Sequence, residues 1–225
     1  MISPHLDDAV FSCGAAIAAS RAAVVCTIRA GALREALVTD WDTQSDFANA
    51  HQAMHARRAE VAAALDALDP RPLHLDLLDS QYAGDVSTTS DEIASALIGV
   101  SRTNAFRTLL IPLSLFRCDH YLVHAACHSA WRAEPMLTCI AYEDALYRRM
   151  RGPVQLRLDE LAPDGITATP VSRPIDADAL VRNLAAKQQA VSRYASQLRA
   201  FRPNGYDDVF APERFWTLQR THHDR

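Results

Sequence analysis

The stretch Ser3-Pro4-His5-Leu6-Asp7-Asp8-Ala9-Val10-Phe11-Ser12-Cys13-Gly14 decides how this 225-residue chain is read. Pro4 disfavours helical backbone at Ser3, so the chain arrives extended, turns over His5 to Asp8 and winds up afterwards in an alanine-rich helix. Strand, polar turn, helix is the unit from which parallel α/β sheets are built. The spacing of His5 and Asp8 lets both side chains converge on one point while Asp7 leans elsewhere. Two metal ligands with a free carboxylate beside them fit that arrangement. A helix-capping aspartate beside a surface histidine fits it as well.

The alternation continues outward from this turn. Ala9 to Arg21 reads as a helix, and the β-branched run Ala22 to Arg29 as a buried strand. A polar segment, Ala30 to Gln44, precedes a long helix over Phe47 to Leu68. Arg71 opens a short strand, and Ser90-Asp91-Glu92 begin a helix that runs to Asn104. Arg107 to Pro112 is a strand, Arg117 to His120 a polar turn, and the helix after it runs to Arg132. Met136 to Ala141 is a further strand, ending in Tyr142-Glu143-Asp144. Beyond it the pattern changes. Val154 to Leu158 and Ile166 to Val171 are expected to pair as a hairpin across Pro163-Asp164-Gly165. Asp176 to Ala200 reads as one last long helix, and the tail carries an aromatic stretch from Phe210 to Trp216. The expected fold is α/β: a Rossmann-like, mostly parallel sheet flanked by helices, with a small C-terminal β-hairpin plus helix addition. One domain spans 1–225, its core over about 1–150 and the addition over about 151–225.

Composition narrows the function. A hydrophobic share of 49% and a charged share of 22% are ordinary for a globular protein. The net charge of −4 gives no basic field for nucleic acid or an anionic membrane. Five cysteines form no CxxC pair, which reads as buried thiols in a reducing compartment. No apolar run approaches the length of a membrane span, and no signal pattern opens the chain. A cytoplasmic protein acting on a small molecule is expected, with homo-oligomerisation left open. No GxGxxG follows any strand, which argues against a dinucleotide enzyme.

Two polar turns each follow a strand and open a helix, and such strand ends line the crevice where open α/β sheets bind ligands. If the two strands are neighbours, His5, Asp8 and His120 meet as a two-histidine, one-carboxylate set. That set suits zinc with an open position. Asp7 is then placed as general base, and Asp119 to orient a ligand histidine or its surroundings. His124 and His128 continue the helix face of His120, either as an i,i+4 ligand pair or as a packed stripe. Trp41 and Asp42 either shape a substrate rim or cover the core. Tyr82, Glu143 and Asp144 follow strands and either touch substrate or are structural. His51, His55 and His74 have no converging partners, and His222 and His223 lie in a polar terminus.

The opening motif resembles that of the PIG-L (LmbE-like) zinc-dependent deacetylases. Further likeness lies in Thr39 to Asp42, Arg58 to Glu60, Leu78 to Tyr82, Asp119-His120, Tyr142 to Asp144, Lys187 to Tyr194 and Ser196-Gln197. The resemblance implies a Rossmann-like fold and hydrolysis of an amide, usually the N-acetyl group of an amino sugar such as N-acetylglucosamine. It implies zinc held by His5, Asp8 and His120, with Asp7 as the base. Family members commonly carry a histidine three residues before the second ligand histidine, where it helps stabilise the oxyanion. This chain has Arg117 there, a permanent cation that donates hydrogen bonds but moves no proton near neutral pH. Ala9 also stands where many members have glutamate. Two rivals follow from Arg117: an amidase for an anionic, non-sugar N-acyl substrate, and a catalytically weak metal-binding protein of the same fold.

Overall fold

The computed structural model describes residues 1–20, 22–31, 33, 37–83, 88–171, 177–201 and 205–221. His222, His223 and Pro203-Asn204 lie outside them. The chain divides into two compact units, residues 1–88 with 175–211 and residues 89–174 with 212–225.

The first unit holds the parallel sheet β1 (Ile2–Ser3), β2 (Val24–Thr27) and β3 (Arg71–His74), in that order. Strand β1 is only two residues long, but its pairing extends at both ends. The amide of Cys26 donates to the Met1 carbonyl, and that of Arg29 to the Pro4 carbonyl. Helix α1 (Asp8–Ala19) follows β1 and buries Val10, Phe11 and Ile17. After β2 come α2 (Asp40–Gln44) and α3 (Ala50–Asp66), and after β3 the short α4 (Ser80–Ala83). Thr39 and Asp42 form a capping box that starts α2.

The long C-terminal helix expected over Asp176 to Ala200 is two helices, α8 (Ala177–Val191) and α9 (Ala195–Phe201). The chain turns between them, and Tyr194 there is buried, its ring edge-on to Phe11 at 5.0 Å. Helix α8 packs closely on α1 at Gly14. A Cβ added there would lie 2.7 Å from Lys187 Cγ, so only glycine admits the stem of this buried lysine.

The second unit begins with α5 (Ser90–Asn104), whose N-cap is Thr89, in a capping box with Glu92, and not Ser90 as its sequence implies. Strand β4 (Thr108–Pro112), helix α6 (Cys118–Ala133) and strand β5 (Thr138–Tyr142) form a parallel crossover. The hairpin expected after β5 does not form. Val154 to Leu158 is not a strand but lies within α7 (Pro153–Leu161), with Pro153 in its first turn. Its apparent alternation is helical: Arg157 and Leu161 are buried one turn apart, and Gln155 bonds Asp159 at 2.8 Å. Strand β6 (Ile166–Pro170) instead pairs antiparallel with β7 (Phe215–Arg220), which begins at the end of the tail's aromatic stretch, Phe215 and Trp216. The sheet order is β4-β5-β7-β6, with β5 and β7 antiparallel. The fold is α/β, a parallel sheet and a mixed sheet, each accompanied by helices.

Candidate metal-binding turns

The turn after β1 is built by its own hydrogen bonds. Ser3 Oγ donates to the His5 carbonyl at 2.6 Å and accepts from the Ala9 amide at 2.9 Å, which bends the chain into α1. The His5 amide donates to Asp8 Oδ2 at 2.8 Å, and the same oxygen lies 3.3 Å from His5 Nδ1. The two residues expected to be ligands are therefore clasped together. From the far side of the turn, the Tyr194 hydroxyl donates to the Leu6 carbonyl at 3.0 Å.

Asp7 occupies the N-cap of α1 but makes no side-chain capping bond there. It is buried, and that burial raises its pKa, with the Asp8 carboxylate adding to the effect and Arg57 and His5 opposing it. Two groups beside this turn were read from the sequence only as parts of a helix and a motif. Asp79 sits 3.7 Å from His5 Nε2, and buried Arg57 sits 3.7 Å from the same Asp79 oxygen. Their signal was weak, since a carboxylate after Leu77-Leu78 and an arginine in a charged helix are both common on surfaces.

Asp42 and Tyr82 hold one another: the buried Tyr82 hydroxyl donates to Asp42 Oδ1 at 2.5 Å, while Asp42 Oδ2 takes the Thr39 amide and hydroxyl. Burial and this bond push the Tyr82 pKa well up. Trp41 packs its ring 5.3 Å from Phe201. Motif positions Glu60 and Ser196 tie α3 to α9, with the Ser196 amide and hydroxyl both donating to the Glu60 carboxylate. Arg58 Nε donates to the Ala30 carbonyl at 2.8 Å and bridges to Asp76.

In the second unit the turn between β4 and α6 is organised by Asp144, from the end of β5. Its Oδ1 lies 2.6 Å from His120 Nδ1, and its Oδ2 accepts the Leu115 amide at 3.0 Å. Both side chains are buried. Asp144 thus supplies a carboxylate that orients His120, where the sequence left it either a substrate contact or a structural residue. Asp119 is buried in the first turn of α6, and Arg117 is exposed at its N-cap. Ser114 Oγ donates to the His120 carbonyl, and Leu113 is pinned by its amide to the Tyr142 carbonyl. Ser114 and Arg117 take φ of 66° and 75°, a left-handed backbone that costs a non-glycine residue on the order of 1–3 kcal/mol. Glu143 faces β7, accepting from Trp216 Nε1 at 3.0 Å with Arg214 3.6 Å away.

His124 and His128 form a packed pair, with ring centroids 4.1 Å apart. His124 Nδ1 bonds the Pro112 carbonyl at 2.7 Å, and burial holds the pKa well below the ordinary histidine value. His128 is brought down to about 4 by burial, with Arg132 and Arg157 adding to the shift.

Among the described residues, no helix is long and apolar enough to cross a membrane. No curated protein sequence matches the chain. Solved structures do. A deacetylase triple mutant from the teicoplanin biosynthetic pathway is 26% identical, with a TM-score of 0.81, covering 100% of this chain and 98% of that one. A deacetylase–teicoplanin complex is 25% identical, with a TM-score of 0.79 and the same coverage. The N,N'-diacetylchitobiose deacetylase of Pyrococcus horikoshii, at 14% identity and a TM-score of 0.52, covers 97% of this chain and 82% of its own; it shares the fold. The family described as PIG-L, GlcNAc-PI de-N-acetylase, matches residues 1–131, more than half of the chain. The chain belongs to the PIG-L family and is a deacetylase, an enzyme that hydrolyses amides.

Proposed function

We propose that the protein is a zinc-dependent N-deacetylase of an amino sugar or a sugar-bearing small metabolite, with both units acting as one cytoplasmic catalytic domain. The observation that carries the reading is the buried His120–Asp144 pair at 2.6 Å. A carboxylate on Nδ1 fixes the imidazole tautomer and makes Nε2 the electron-pair donor, the usual arrangement behind a metal-bound histidine. The relatives' activities, deacetylation in the teicoplanin pathway among them, support the same class of reaction.

The donor set fits the metal. His5 and His120 supply imidazole nitrogens and Asp8 a carboxylate oxygen, the nitrogen and oxygen ligands zinc takes in catalytic sites. Zinc when bound would supply Lewis acidity toward the acyl oxygen and toward water. The remaining work belongs to the chain. Asp7 accepts a proton from the water that attacks the acyl carbon. As the carbon–nitrogen bond breaks, Asp7 returns that proton to the leaving amine, so acetate and a free amine are formed. Arg117 donates to the developing oxyanion in place of the family's histidine, or reads an anionic part of the substrate.

The test is amine release from a panel of N-acetyl amino sugars and anionic N-acyl amino acids by the zinc-loaded enzyme and by Asp7→Asn. The proposal expects turnover of sugars, and a kcat lower by about 10²–10⁴ in Asp7→Asn. Unchanged turnover in Asp7→Asn would remove Asp7 from the mechanism. Turnover of anionic N-acyl compounds alone would replace the sugar with a non-sugar substrate.

A further inference from the structure

We propose that Arg157, on α7, is a positioning residue of the enzyme: it holds the Leu113 carbonyl and, through it, the turn that carries His120. This rests on the reading of His120 as a zinc ligand. In α7 the usual polarity is inverted. Leu156 is 55% exposed, while Arg157 beside it is 9% exposed. A buried cation costs desolvation, so a helix that turns an arginine inward and a leucine outward has a use for the arginine's donors.

Those donors have definite targets. Arg157 Nε donates to the Leu113 carbonyl at 3.2 Å, and Nη1 donates to the Glu160 carboxylate. The guanidinium carbon lies 4.8 Å from the centre of the Tyr121 ring on α6. His124 Nδ1 bonds the preceding carbonyl, that of Pro112, at 2.7 Å. Two consecutive carbonyls at the end of β4 are therefore gripped, one from α6 and one from α7.

Leu113 is the last residue before the left-handed backbone of Ser114, whose φ is 66°. Such a residue persists only where its surroundings over-determine it. The Leu113 amide donates to the Tyr142 carbonyl at 2.8 Å, Ser114 Oγ to the His120 carbonyl, and the Leu115 amide to Asp144 at 3.0 Å. All three clamps come from within the β4–α6–β5 crossover. Arg157 adds one from outside it, on the backbone oxygen whose direction sets how Ser114 leaves the strand. Without that N–H a buried carbonyl loses its charged donor, the peptide between Leu113 and Ser114 rotates, and His120 shifts with Ser114. A misplacement of about 1 Å in a catalytic constellation costs on the order of 10²-fold in rate, and the loss falls on kcat.

The experiment compares wild type with Arg157→Met and Arg157→Gln, all zinc-loaded, on an N-acetyl amino sugar that wild type turns over. Methionine keeps a stem of similar length without a donor. Glutamine places an amide nitrogen where arginine has Nε, so it restores the N–H without the charge. Arg157→Met is expected to lower kcat by about 10–100-fold, with KM within about twofold of wild type. Arg157→Gln is expected to recover kcat to within about threefold. Amide hydrogen exchange at Leu113 and Leu115 is expected to be about tenfold faster in Arg157→Met and unchanged at Ile140 in β5. Unchanged kcat in Arg157→Met, a loss that Arg157→Gln shares, or equal exchange at the turn would overturn the assignment. Should Arg157→Met not fold, Arg157→Gln decides: kcat and exchange both kept support the role, and loss of either overturns it. If wild type turns over no N-acetyl sugar, the substrate reading fails on its own. The exchange comparison needs neither substrate nor zinc, and it then decides the positioning role.

Discussion

Asp144 carries three tasks with one side chain and one carbonyl. It orients His120, accepts the Leu115 amide and receives the amide of Tyr147. Asp144→Asn keeps the shape but has one acceptor oxygen and a donor NH2, so it cannot accept from both the Leu115 amide and His120 Nδ1–H. Zinc affinity is expected to fall by about 10–100-fold, while His124 in the same helix keeps its bond to Pro112. A competition titration with a zinc chelator reads the change, and unaltered affinity would show that Asp144 does not act through His120. The sequence offered Asp144 only as a polar residue after a strand. Its partner lies 24 residues earlier, and nothing local distinguishes an orienting carboxylate from a substrate contact. The His5–Asp8 clasp was easier to read because both partners lie within the same turn. Asp42 and Tyr82 show the reverse case: a loop carboxylate and a tyrosine that resemble substrate contacts satisfy one another inside the first unit.

At the scale of elements, the α1–α8 contact depends on the absence of a side chain at Gly14. Helix propensity alone would have Gly14→Ala stabilise α1 by about 1 kcal/mol. The added Cβ would instead lie 2.7 Å from Lys187 Cγ, well inside van der Waals contact. The expected result is a net loss of about 1–3 kcal/mol, read as a lower denaturant midpoint at unchanged slope. A rise in midpoint would show that Lys187 moves aside freely. The strands and long helices up to β5 were legible because each carries its own period and turn chemistry, whereas the short α2 and α4 lie in stretches that read as irregular. Among the later elements, α7 and β7 were not legible. The Val-Gln-Leu-Arg-Leu run of α7 alternates like a strand, yet Pro153 at its start and the buried Arg157–Leu161 spacing make it a helix. Strand β7 reads as an aromatic tail because its partners are β5 and β6, far off in sequence, and antiparallel pairing at that separation leaves no local mark.

For the whole molecule, acid should unfold the protein partly through the packed histidines of the second unit. His128 faces His124, Arg132, Arg157 and Asp164, and its pKa in the fold is about 4 against an ordinary 6.5. Below 6.5 the unfolded chain takes up a proton that the fold refuses, so stability falls as pH drops toward 4 and levels off beneath it. The loss is on the order of 3 kcal/mol for His128, with His124 acting in the same direction. Urea midpoints for wild type and His128→Gln, measured across that window, should converge toward acid pH, and parallel curves would contradict the assignment.

The proposed zinc site takes His5, Asp8 and His120 as its ligands, and metal stoichiometry is the direct way to test that set. Elemental analysis after dialysis against zinc should find one zinc per chain in wild type. His5→Ala and His120→Ala should each lose that same ion. Zinc retained by either variant, or a separate zinc lost by each, would contradict the proposed ligand set.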